Sequence, residues 1–108
     1  MYRVTTPTHT FIMPIDTSEC SVIQITYKQG CIELIKEYSN GILPSGMTLD
    51  EDSVIIKLTQ EETRQFLKGT VDVQLRALVG SRDAYASDHF KIGVQEVNNQ
   101  DILTGGGR

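Results

Sequence analysis

The sequence predicts an all-β domain: an immunoglobulin-like β-sandwich of about seven strands with one short helical turn. Three observations point there. Apolar and polar residues alternate in short runs, turn residues recur at intervals of roughly a dozen positions, and only one segment carries a helix-start signal. A small β-barrel is the alternative architecture.

The elements follow in order. Thr10 to Ile15 sets Phe11, Met13 and Ile15 against Thr10, Ile12 and Pro14. Pro14 has no N–H to give a neighbouring strand, so this run suits a sheet edge. Asp16, Thr17 and Ser18 make a polar turn. Ser21 to Lys28 puts Ile23, Ile25 and Tyr27 on one face and Val22, Gln24, Thr26 and Lys28 on the other. Gln29-Gly30 breaks it, and Cys31 to Tyr38 completes a first hairpin.

Ser39 to Gly46 holds Asn40-Gly41, Pro44 and Gly46 and reads as a loop. Met47 to Leu58 forms a second hairpin, with Asp50, Glu51 and Asp52 at its tip. Thr59 stands three residues before Glu62, which is a capping-box pattern. The helical signal runs from Gln60 to Lys68 and ends at Gly69. Two turns are unstable alone, so Phe66 is expected to pin them to a sheet. Thr70 to Val79 and Tyr85 to Val94 make a third hairpin around Gly80 to Asp83. The helical turn then serves as the crossover between sheets. Residues 1–97 are expected to form the domain, and 98–108, rich in polar residues and glycine, a flexible tail.

Composition bounds the function. The chain has 108 residues, enough for one domain with an unstapled core. At 39% hydrophobic and 22% charged residues it is expected to fold. No apolar run approaches the roughly 20 residues of a membrane-spanning helix. Nothing behind Arg3 reads as the apolar core of a secretory signal, so folding in a cytoplasm is expected. The net charge is −4 and the ten basic residues are scattered. A nucleic-acid partner is therefore not expected, because no cluster could displace counterions from a phosphate backbone. A membrane partner is not expected either.

No residue earns a catalytic, cofactor-binding or metal-binding assignment, and no cofactor is expected. His9 and His89 lack neighbours at metal-ligand spacing. Asp88 and His89, adjacent on a strand, point to opposite faces. Cys31 with His89 could form a nucleophile–base pair only through folding, and no flanking motif supports it. Cys20 and Cys31 are expected to be buried free thiols, a disulfide requiring that they face each other on paired strands. Asp50 to Asp52 lack the alternation and mid-loop glycine of a calcium loop. What remains is surface. Val22, Ile55 and Leu78 interrupt otherwise polar faces and, if clustered, would mark a subunit contact. Sandwich edges could also be extended by a partner strand.

Six segments together carry a resemblance: Thr6 to Asp16, Ile25 to Gln29, Gly46 to Asp50, Lys57 to Thr63 with Phe66, Val71 to Arg76, and Ala86 to Phe90. In these the chain resembles the small proteins carried by tailed phages and prophages of Gram-positive bacteria. Val54 to Leu78 is also similar in pattern to β-sandwich domains at the start of phage baseplate proteins. The resemblance implies a non-enzymatic, virion-associated structural or protein-interaction role, located in the virion or host cytoplasm. Its implied partners are phage structural proteins or further copies of itself. A small phage-encoded inhibitor of a host defence protein is the alternative, with Asp50 to Asp52 as its contact. No functional residue is carried over, and the binding residues stay unassigned.

Overall fold

A computed structural model describes residues 1–80, 83–87, 90–98 and 102–104. Among the described residues, eight strands form two antiparallel sheets, giving the expected all-β sandwich. The smaller sheet has β1 (Thr8–Ile12), β5 (Ser53–Lys57) and β4 (Met47–Asp50), in that spatial order. The larger sheet runs β3 (Ile32–Ser39), β2 (Cys20–Gln29), β6 (Gly69–Val79), then β7 (Asp83–Ala86) and β8 (Phe90–Val94), which pair with the two ends of the far edge of β6.

All three hairpins form where alternation places them: β2 with β3, β4 with β5, and β6 with β7 and β8. The third has a broken return strand. Arg76 faces Ala86 and Val73 faces Phe90, so the register against β6 differs by one residue between β7 and β8. Ser87, the residue after β7, stays bonded to β6. Its N–H donates to the Leu75 carbonyl (2.8 Å), and its hydroxyl accepts from the Leu75 N–H (3.0 Å).

β1 begins two residues earlier than expected and stops at Ile12, which pairs with Ser53. Pro14 lies beyond it, where the ladder has already ended. The edge position of this strand is as expected.

The crossover from β5 to β6 is the short helix α1 (Gln60–Arg64). Its capping box is complete: Thr59 Oγ1 accepts from the Glu62 N–H (3.1 Å), and Glu62 Oε1 accepts from the Thr59 N–H (2.9 Å). The helix ends at Arg64, four residues short of the expected Lys68. Phe66 explains the early stop. It is fully buried, and drawing it into the core bends the chain away from the helix axis. Its ring lies 6.4 Å from that of Tyr27.

The core lies between the sheets. Ile23, Ile25 and Tyr27 of β2 and Val71, Val73 and Leu75 of β6 meet Val54 and Ile56 of β5, all essentially without solvent exposure. Burying a side chain of this kind contributes roughly 1.5–3 kcal/mol each before chain entropy is counted. The N-terminal residues add a feature the alternation did not reveal. Met1 to Arg3 run beside the end of β8 in the large sheet: the Gln95 N–H donates to the Met1 carbonyl and the Arg3 N–H to the Gln95 carbonyl, both at 2.8 Å. The chain then crosses at Val4 (φ 58°) to enter β1 of the small sheet.

Of the tail, Asn98 and Ile102 to Thr104 are described. The Gln60 side-chain amide holds the Leu103 backbone at both its carbonyl (2.9 Å) and its N–H (2.8 Å). The other tail residues lie outside the described set.

Candidate interaction surfaces

His9 is half-buried on β1, with its ring 5.7 Å from that of Tyr27 on the facing sheet. Their polar atoms, Nδ1 and Oη, are 2.9 Å apart. Burial, aided by the N-terminal ammonium, lowers the His9 pKa. Burial, aided by the Glu62 charge, raises that of Tyr27. Both shifts favour the uncharged forms, so a neutral phenol and a neutral imidazole share this hydrogen bond. This cross-sheet bond satisfies the one polar atom of a fully buried tyrosine. His89, Asp88 and hence any pairing of Cys31 with His89 lie outside the described residues.

Lys36 is a residue that alternation along β3 could have singled out. Ile32, Leu34, Lys36 and Tyr38 share the inward face of β3, so a lysine occupies a core-facing site. Its ammonium donates to the Ser45 carbonyl (2.9 Å) and pairs with Glu62 Oε2 (2.5 Å). Burial alone would raise the Glu62 pKa. The Lys36 ammonium and the Thr59 amide outweigh it and hold the carboxyl below the usual range. Held by these two partners, the Lys36 side chain ties β3 to the loop before β4 and to α1.

Cys20 is buried on β2 and burial raises its pKa, which keeps it a thiol. Cys31 is exposed, contrary to expectation, because it occupies the β2–β3 turn with Gly30. The two stand at opposite ends of a ten-residue strand, roughly 30 Å apart, so this fold does not allow them to pair. Among the described residues, no group of three or more His, Cys, Asp or Glu is placed to hold a metal ion. No described helix is long and apolar enough to cross a membrane.

The acidic tip at Asp50 to Asp52 is fastened from behind. The Met13 N–H donates to the Asp52 carbonyl (2.7 Å), and both the N–H (2.7 Å) and the hydroxyl (2.8 Å) of Thr17 donate to the Glu51 carbonyl. The carboxylates are thus presented on a fixed turn, with Glu51 at φ 50°.

Two larger surfaces stand open. A groove lies between β1 and β8, lined by Phe11, Phe90 and Ile92, with His9 and Ile12 also along it. The Phe11 and Phe90 rings meet at 6.0 Å, tilted by 54°, and Ile12 is 67% exposed. The second surface is the outer face of the large sheet, which carries two depressions. Val22 and Leu78, two of the three outward apolar residues, are register partners there. Ile55 instead belongs to the small sheet, between Thr10 and Thr48.

Fold and surface together define an all-β sandwich whose open features are sheet edges and faces. No protein-family model and no curated protein matches the chain.

Proposed function

We propose that this chain is a non-enzymatic protein-interaction module of a tailed phage or prophage particle, acting through its sheet edges and surface. The observation that carries the interaction role is the outer face of the large sheet, on which no other described element packs, together with the apolar groove between the edge strands β1 and β8. Edges of this kind accept partner strands, and faces of this kind accept flat partners. The phage setting rests on the resemblance in the six segments from Thr6 to Phe90.

Mass spectrometry of purified particles tests it. Detection of the chain in particles, at a ratio that survives washing, supports the module; its clear absence sinks it. The fixed acidic tip favours a second reading, an inhibitor that presents Asp50 to Asp52 to a host defence protein. A pull-down from infected cells separates the two. Tail or head proteins support the first reading, and a host nuclease supports the second.

A further inference from the structure

The outer face of the large sheet carries a charge pattern that matches itself. Four residues lie in one row across the strands: Glu33 on β3, Lys28 on β2, Asp72 on β6 and Lys91 on β8. The signs alternate, minus, plus, minus, plus. Reversed left to right, such a row meets its own original with every charge opposed. Consider a two-fold axis parallel to the strands, between β2 and β6. It lays β2 of one copy over β6 of the next and β3 over β8. Lys28 then meets Asp72, and Glu33 meets Lys91, twice each.

Two further rows obey the same reversal. Val22 and Leu78 are neighbours on β2 and β6, so each meets the other across the axis. Gln24 and Arg76 are also neighbours, so the Gln24 amide, already bonded to Glu37 at 3.0 Å, comes over the guanidinium. The competing axis, perpendicular to the strands at the charged row, would set lysine on lysine and carboxylate on carboxylate. Charge thus selects one of the two face-to-face arrangements. The face is also balanced. Among the described residues it holds three cations and three carboxylates (Lys28, Arg76, Lys91; Glu33, Glu37, Asp72), while the chain as a whole is at −4.

We infer that this face docks a second copy of the chain in a parallel, two-fold, face-to-face dimer. The inference rests on the interaction-module reading and names one partner for it. Four strands about 4.8 Å apart, and rows spanning about 25 Å, give a footprint on the order of 500 Å² per copy. The pair therefore buries about 1,000 Å², at the lower limit for a specific contact. A dissociation constant on the order of ten to a hundred micromolar is expected, weakened by salt.

Sedimentation equilibrium on the purified chain tests it. The parent should follow a monomer–dimer curve. Lys28→Glu and Asp72→Lys should each weaken the dimer about tenfold or more, since each opposes like charges twice. Mixing these two variants should restore association to near the parent value, because residue 28 of one then meets residue 72 of the other with opposite charge both ways. The double exchange Lys28→Asp with Asp72→Lys keeps opposite charges between positions 28 and 72 within the chain and across the dimer axis, and circular dichroism checks that it is folded. It should dimerise with itself and not with the parent. A chain monomeric up to about 1 mM overturns the inference, a concentration far above the expected constant. So does a dimer indifferent to either substitution, as does a mixture of folded variants that stays apart; association lost only on changing Phe90 or Ile12 would assign it to the β1–β8 groove instead. A monomeric chain found in particles would sink the dimer and leave the module standing. A dimeric chain absent from particles would do the reverse.

Discussion

Glu62 closes the cap of α1 with one carboxylate oxygen and holds the buried Lys36 ammonium with the other. One side chain thereby joins the crossover to the larger sheet. Glu62→Gln should cost about 1–2 kcal/mol in urea unfolding, below the 3–5 of a fully buried pair because Glu62 keeps some contact with water. Lys36→Met combined with Glu62→Gln should be less harmful than the sum of the two singles. Strict additivity would show that the pair is not coupled. The folded Glu62 pKa is lowered, so its contribution is complete above the ordinary value of 4.5 and is lost as pH falls through the folded value.

His9 should make the fold less stable in weak acid. Its folded pKa lies below the ordinary 6.5, so below that pH the unfolded chain takes up a proton that the folded chain resists. Stability is then unaffected by this group above 6.5 and declines from there towards the folded value. His9→Gln, which keeps a polar atom facing Tyr27, should flatten the slope in this window. An unchanged slope would exclude His9 as its source.

Gly46 should be intolerant of any side chain. It sits at φ 83°, and a Cβ there would meet the Lys57 carbonyl oxygen of the neighbouring backbone at contact distance no atom tolerates. The same backbones are bonded, with the Lys57 N–H donating to the Gly46 carbonyl (2.8 Å). Gly46→Ala should therefore cost about 3 kcal/mol or more, read as a fall in thermal midpoint. Gly41, also at positive φ (80°) but with open space around it, should lose far less on the same change.

Thr63 should matter for its hydroxyl more than its volume. It is fully buried, and its Oγ1 accepts from the Thr5 N–H (3.0 Å) while donating to the Thr5 carbonyl (2.9 Å). Thr63→Val keeps the shape and strands both backbone groups, at about 1–3 kcal/mol. Hydrogen exchange at Thr5 should accelerate in step. Protection that stays as in the parent would show the bond to be dispensable.

The sandwich, its three hairpins and the capped crossover were legible in the sequence because they rest on local rules. Alternation every second residue assigns Ile23, Ile25 and Tyr27 to one side of β2 whatever the rest of the chain does. Thr59 and Glu62 are close enough in sequence to close a capping box unaided. The end of α1 was not legible, since Phe66 leaves the helix to reach a core built by distant strands. Nor was the partnership of His9 with Tyr27, or of Lys36 with Glu62, because each joins residues that only sheet packing brings within reach. The same holds for the row Glu33, Lys28, Asp72, Lys91. The sequence by itself set Lys28, one of these four, on the face away from Ile23, Ile25 and Tyr27. Register between four strands, a property of the tertiary structure alone, decided that the four stand side by side with alternating sign.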